Sequence, residues 1–378
     1  MSEIVFVLGA GASKHCGTPL MNNFLEVAED LWRAGEVEEA KEDFKKVFDA
    51  RGKLQAVHSK AKINTYNVED VFAAFEMGKL LGRLPGIEGS VKIEKLISSI
   101  KKVIGYTLER TTRFPHNTIQ KGVNPPESYY EFADNIIDKI IEREKGCSVI
   151  TFNYDLGLDY SLYARGILPD YGLGDIDLTN KKCVTYLKLH GSLNWGKCRS
   201  RNCGRIIPLI KFDELISKSG LDYSTIPIIS RLKNRTCPSC KKPLGEDPFI
   251  VPPTWNKTAY HEEIEHVWKR AALELKDAEN IFVLGYSFPD TDMFFRYLFA
   301  LGVDMRTSLR GFYVYDIDSA VEERFQNLLG SGVSQRFLYQ GLKFKDAIRR
   351  EIIGWRADYM DLDTEYKTIP QILNIRHE

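Results

Sequence analysis

The sequence predicts an α/β protein: a doubly wound, parallel, Rossmann-like sheet carrying a helical insertion and a small zinc-ribbon module. Three observations predict it. Short apolar runs without alternation recur at Ile4–Leu8, Ser148–Phe152, Val184–Leu189, Ile281–Leu284 and Gly311–Tyr315, the pattern of strands buried on both faces. Longer stretches of helical periodicity separate them, as parallel crossovers require. Four cysteines gathered between the third and fourth runs suggest a metal module.

The first strand, Ile4–Leu8, is followed at once by Gly9, Ala10 and Gly11. Small residues there let the backbone turn sharply and approach a phosphate. Lys14 stands where a third glycine would fall, so the GxGxxG fingerprint is only partly met, and a tight turn without a ligand would use the same residues. Residues 20–147 carry no comparable strand but show amphipathic runs at Leu20–Ala34, Val37–Ala50, Val68–Leu84 and Ile93–Arg110. They are read as a helical insertion covering or flanking the loop. Within it, Val71, Phe72, Phe75, Leu80 and Leu81 are expected to form a buried stripe, with Asn67 as N-cap.

The second strand ends in TFNYD, placing Asn153 and Asp155 just past its carboxyl end, where open α/β sheets hold ligands; the same residues would also begin a turn and cap a helix. The third strand runs into LHGSL. His190 falls at the same edge and can exchange a proton near neutrality, and Gly191 permits close backbone approach. Cys198 and Cys203, then Cys237 and Cys240 in CPSC, supply the two thiol pairs of a tetrahedral zinc site, four unmetallated thiols being the alternative. Cys16, Cys147 and Cys183 read as small buried side chains, and His261 and His266 are spaced wrongly for a shared metal. The fourth strand leads into GYSFPDTD, where Gly285 and Ser287 could donate to phosphate and Asp290 or Thr291 would cap the next helix. Asp316, after the fifth strand, is a candidate ribose contact or a helix cap. The expected boundaries are therefore 1–19, 148–195 and 251–360 for the sheet domain, 20–147 for the insertion and 196–250 for the zinc ribbon.

Composition narrows the function. Lys and Arg (52) balance Asp and Glu (52), so no global field recruits nucleic acid or an anionic membrane, and sequence-specific nucleic-acid binding is not expected; a local basic patch stays open. No apolar run spans a bilayer and residues 1–8 do not look like a signal peptide, so a cytoplasmic protein with no membrane partner is expected. Its seven cysteines should then be reduced and either metal-bound or buried.

In order, these segments resemble the sirtuin superfamily. Gly9 to Pro19 is similar to the family's GAGxS…GIP loop, which adds Ser13, Thr18 and Pro19 to the nucleotide site. TFNYD resembles its TQNID, implying that Asn153 and Asp155 face the nicotinamide ribose and the carboxamide. LHGSL resembles the catalytic-histidine segment and GYSF the phosphate turn, and the cysteines fall where the family inserts its zinc ribbon. The implied ligand is NAD, with structural zinc. Departures point within the superfamily: Leu20, Met21 and Asn22 replace the Asp-Phe-Arg segment, Phe152 replaces glutamine, and Pro252 and Pro253 disfavour pairing with an acyl-lysine peptide. These features are similar to bacterial antiphage sirtuin-like proteins that cleave NAD. The resemblance implies an NAD glycohydrolase that forms a homo-oligomer and could pair with an ATP-driven DNA translocase of the HerA class. NAD-dependent protein deacylation and a non-catalytic NAD or ADP-ribose sensor are the alternatives.

Overall fold

The computed structural model describes residues 2–55, 62–117, 122–174, 178–210, 217–218, 223–251, 262–289, 292–302 and 309–361. Seven parallel strands form the central sheet: β1 (Ile4–Leu8), β2 (Cys147–Thr151), β3 (Leu168–Asp170), β4 (Cys183–Lys188), β8 (Asn280–Leu284), β9 (Gly311–Tyr315) and β10 (Phe337–Gln340). Their order is β10-β9-β8-β1-β2-β4-β3. The chain leaves β1 toward β2 on one side and later crosses to β8 on the other. That reversal is a topological switch point, where such sheets open a crevice at their carboxyl edge.

All five predicted strands are present, shifted by no more than one residue. Every residue of β1, β2, β8 and β9 is buried, which is why they read as continuous apolar runs. The two outer strands were not predicted. β3 is a three-residue edge strand containing Pro169, and β10 is only half-buried, so neither presents an apolar run.

The insertion is built on α1 (Phe24–Arg33), α2 (Lys41–Gln55), α3 (Val68–Leu81) and α4 (Ser90–Thr111). Asn67 caps α3 as expected, its side chain accepting from Glu69 N at 2.8 Å. Val71, Phe72 and Phe75 are buried, but Leu80 and Leu81 are 80% and 64% exposed. The expected stripe stops because Leu80 lies about 140° around the helix from Phe75 at 3.6 residues per turn. Gly78 carries the buried face instead.

The last part of segment 20–147 packs on the sheet. Helix α5 (Glu127–Phe132), continued through a π-helical turn at Ala133–Asp138, buries Tyr129, Phe132, Ala133, Ile136, Ile137 and Ile140 with the sheet. The insertion's own apolar core is shared with Tyr154, Leu156, Leu193, Ile226, Ile228 and Ile229, so it has no separate interior. Three antiparallel strands, β6 (Ile206–Pro208), β5 (Gly191–Cys198) and β7 (Leu244–Ile250), carry the four-cysteine module.

Candidate active site

Register alone sets out the site. Leu8 pairs with Thr151 and Leu284, Thr151 with Lys188, and Leu284 with Tyr315. The residues after these positions therefore line one edge in the order Asp316, Gly285, Gly9, Asn153, His190. At roughly 4.8 Å between strands the row spans about 19 Å, a length suited to an extended ligand.

The centre of the row is a close backbone crossing. Gly11 N donates to Gly285 O at 2.8 Å. A Cβ on Gly11 would meet Gly285 Cα at 2.9 Å, and Gly285 itself has φ +59°. Two strand-end loops thus meet only because both lack side chains. Beside them, Ser287 is exposed, with its carbonyl accepting from Arg324, and Phe288 adopts φ +49°. Ala10 and Gly11 are half-buried, while Thr18 and Pro19 are buried, Thr18 Oγ1 donating to Ser13 O at 2.9 Å. Thr18 and Pro19 therefore brace the loop from beneath.

Ser13 and Asp155 belong to one buried hydrogen-bond network. The Ser13 hydroxyl donates to Asp155 Oδ2 at 2.6 Å, and its oxygen takes Asn153 Nδ2 at 3.0 Å and Tyr129 OH at 2.6 Å. Ser13 has one proton and gives it to the carboxylate, so Tyr129 is the donor of its bond. Burial raises the Tyr129 pKa well above its ordinary value, which keeps that donor protonated. Asp155 Oδ1 accepts from Gly157 N at 2.9 Å, the turn-capping role left open by the sequence. Asn153 Nδ2 also donates to Gly9 O at 2.8 Å, tying the β2 loop to the glycine loop. The Ser13 hydroxyl holds the Asn153 amide directly, and the Asp155 carboxylate holds Ser13.

Below this network lies an ion pair that the sequence reading did not single out. Lys188 is fully buried; its Nζ donates to Asp155 O at 2.7 Å and to Asp159 Oδ2 at 2.9 Å. Asp159, on the helix Gly157–Ala164, also accepts from Tyr171 and Tyr186. A lysine inside an apolar strand run, two residues before His190, was the available signal.

His190 occupies the far end of the row. Its ring lies against Phe152 at 5.0 Å and Tyr154 at 6.0 Å, and Phe152 stacks on Tyr286 at 4.3 Å. His190 Nε2 is 3.3 Å from Asp292 Oδ1, and Tyr286 OH donates to Asp292 Oδ2 at 3.1 Å. Gly191 lets the strand turn here: its φ is +78°, and a Cβ would stand 2.3 Å from Phe249 O. Asp292 was missed because, in a PDTD turn, it reads as a helix cap. Asp290, Thr291, Pro252, Pro253 and His261 lie outside the described residues. At the opposite end, Asp316 is half-buried, and its Oδ1 accepts from Asp318 N at 2.9 Å. Burial raises its carboxyl pKa.

The sulfurs of Cys198, Cys203, Cys237 and Cys240 all lie within 4.8 Å of one another. Cys198 and Cys240 are 3.4 Å apart, and Cys203 and Cys237 3.7 Å. A Zn–S bond of about 2.3 Å implies tetrahedral S–S edges of about 3.8 Å, so the set fits one zinc ion with no open position. The backbone N–H groups of Cys240 and Ser239 draw the Cys237 thiol down to about 7, favouring the thiolate a metal needs. Of the other cysteines, Cys16 and Cys147 are buried as expected, but Cys183 is only half-buried.

Comparison with protein-family models and with curated proteins finds no match. Among solved structures, the chain is similar to a Sir2 homologue variant in complex with ADP-ribose, at 14% identity over 96% of this chain and 94% of that one, with a TM-score of 0.43. It is similar to a Sir2 homologue in complex with NAD at 15% identity, covering 94% and 90%, TM-score 0.42. A Sir2 complex with an inhibitor, 2′-O-acetyl-ADP-ribose and a deacetylated peptide matches at 13% identity, covering 93% and 94%, TM-score 0.37. At these values the likeness assigns no activity to this chain.

Proposed function

We propose that the chain is an NAD glycohydrolase of sirtuin type, releasing nicotinamide and ADP-ribose. The observation that carries the reading is the order of groups along one sheet edge: a half-buried acid, a glycine crossing, an anchored Asn153 and a histidine paired with a carboxylate. An adenosine ribose at Asp316, a diphosphate over Gly9–Gly11, Gly285 and Ser287, and a nicotinamide ribose between Asn153 and His190 would follow that order.

Cleavage breaks the ribose–nicotinamide bond, and nicotinamide leaves with the bonding pair through an oxocarbenium-like state. Asn153, its amide nitrogen held by Gly9 O and Ser13, keeps its carbonyl oxygen to orient the ribose or the incoming water. His190 takes the proton released as water adds, and Asp292 steadies the resulting imidazolium. Phe152, Tyr154 and Tyr286 exclude bulk water from that end. Asp155 serves by fixing Ser13 and Asn153.

Unrestrained NAD loss is toxic, so the reading includes gating by a homo-oligomer or a partner such as a HerA-class translocase, in cytoplasmic antiphage defence. The test is the purified full chain with NAD. Free nicotinamide without any acyl peptide supports the proposal. Release that requires an acyl-lysine peptide would assign deacylation, and binding without turnover a sensor.

A further inference from the structure

Between residues 196 and 250 the sequence holds eleven Lys and Arg against five Asp and Glu, in a chain whose totals are equal. The structure gathers most of that excess around the four cysteines. The two cysteine loops lie side by side: Arg199 N donates to Pro243 O at 3.2 Å, Leu244 N to Arg235 O at 3.0 Å, and Arg205 Nη1 to Ser239 Oγ at 2.8 Å. Arg201, Lys233, Arg235, Lys241 and Lys242 are all exposed on these loops and their approaches.

The acids nearby are few. Among the described residues of the module they are Glu246, paired with Arg199 at 2.6 Å, and Asp247, which is half-buried with Lys233 and Lys102 in Coulombic range. Lys197 is paired with Glu263 at 2.7 Å. Arg201, Arg235, Lys241 and Lys242 form no ion pair among the described residues. Lys241 adds a second observation. Its φ is +61°, a left-handed position that costs a side chain about 1–2 kcal/mol and glycine nothing, yet a lysine occupies it.

We propose that this lobe is a binding face for the phosphate backbone of double-stranded nucleic acid, engaged without regard to sequence. A cluster of four or five unneutralised cations on two adjoining cysteine loops suits closely spaced phosphates. Single strands are disfavoured because they require stacking platforms, and the described module exposes no aromatic ring: Phe249 is buried, and Tyr223 is half-buried and covered by Arg113. Among the described residues the free cations sit on the cysteine loops and not in a row along a helix or ribbon, so the contact is to the backbone alone.

The test is fluorescence anisotropy of a labelled duplex of about 20 base pairs titrated with the full chain across a salt series. Four or five contacts predict a log–log salt slope of about −4, an affinity loss of about 10²-fold between 50 and 200 mM salt. Two unrelated duplex sequences should bind alike. Lys241→Gly should reduce the slope by about one unit with no fall in melting temperature, because glycine tolerates the backbone there. Combining it with Arg201→Ala, Arg235→Ala and Lys242→Ala should weaken binding at least about tenfold. No duplex binding at low salt, or equal binding by the combined variant while folded, overturns the proposal. So does equally tight binding of poly-glutamate, which would assign an acidic protein partner.

Discussion

At the centre of the sheet edge, Ser13, Asn153, Asp155 and Tyr129 bond to one another and to the backbone, with a buried Lys188–Asp159 pair beneath. At the outer end, His190 meets the carboxylate of Asp292 between aromatic rings. One arrangement commits its side-chain groups to one another, the Asn153 carbonyl oxygen excepted, and so holds a shape. The other keeps a titratable group in an apolar setting and so can move a proton. The edge thus separates rigidity from chemistry, although both regions consist of polar residues at strand ends and look alike in sequence. Substitutions should divide the same way: stability falls at the centre, and rate falls at the end.

The largest expected effect is at the centre. Lys188→Met would leave Asp159 buried with only tyrosine hydroxyls around it and would free the Asp155 carbonyl. Removing one partner of a buried pair costs about 3–5 kcal/mol. Denaturant unfolding should register that loss. A normal unfolding midpoint with lost NAD cleavage would break the comparison, because Lys188 would then belong to the chemistry.

Nearly as large, but in rate, is His190→Ala. Loss of a positioned general base lowers turnover by about 10²–10⁴-fold. Stability should fall as well, because Asp292 loses a buried partner, so the rate is read where unfolding shows the variant still folded. Asp292→Asn should lower the rate less and shift its pH profile, because the imidazolium loses its counter-charge while the ring keeps a hydrogen-bonding partner. A pH profile identical to that of the native chain would remove Asp292 from the site.

How much of this was legible in the sequence depended on how locally each feature is encoded. Buried parallel strands announce themselves because both faces are apolar, so Ile4–Leu8 and Gly311–Tyr315 were read to the residue. β3 and β10 escaped because an edge strand does not need apolar side chains on both faces. The four cysteines were legible through residue type and spacing. Asn153 and His190 were legible as strand-end polar residues, yet what each would touch was not. Asp155 capping its own turn competes with Asp155 facing a ligand, and only the fold decides. The His190–Asp292 pair joins residues about a hundred positions apart, beyond any local pattern. Leu80 and Leu81 were misplaced for a different reason: hydrophobicity was read as burial, although Leu80 lies off the helix face that Phe75 and Gly78 bury.

A buried carboxylate without a lysine sharpens the comparison by contrast. Glu109 on α4 accepts from Ile229 N at 2.8 Å, with Arg110 at 3.9 Å, and burial raises its pKa to about 7. Its folded value lies above the unfolded value of 4.5, so its contribution to stability is full below pH 4.5 and is lost as pH rises through about 7. Glu109→Gln keeps an acceptor for Ile229 and removes the ionisation. The variant should therefore gain about 2–3 kcal/mol relative to the native chain between pH 5 and pH 8. Equal pH dependence of the two unfolding curves would show that Glu109 ionises freely in the fold.

The smallest effect tests whether the central network is redundant. Tyr129 donates to Ser13 Oγ at 2.6 Å from a ring almost fully buried against Phe344 and His15. In Tyr129→Phe the ring and its packing stay, and only the hydroxyl goes. Ser13 would still give its proton to Asp155 and accept from Asn153, so no charged or amide group is orphaned. The loss should therefore be that of one neutral hydrogen bond, about 1 kcal/mol, and not the larger penalty of an unsatisfied buried donor. Asn153 also keeps its bond to Gly9 O, so its carbonyl oxygen should hold its direction and NAD cleavage should stay within about twofold of the native rate, an energy shift well under 1 kcal/mol. Unfolding and nicotinamide release, measured on the same preparation, read the two quantities together. A tenfold rate loss with a 1 kcal/mol stability loss would mean that the Tyr129 hydroxyl aligns Asn153 for chemistry, and the division between a rigid centre and a reactive end would have to be redrawn at Ser13.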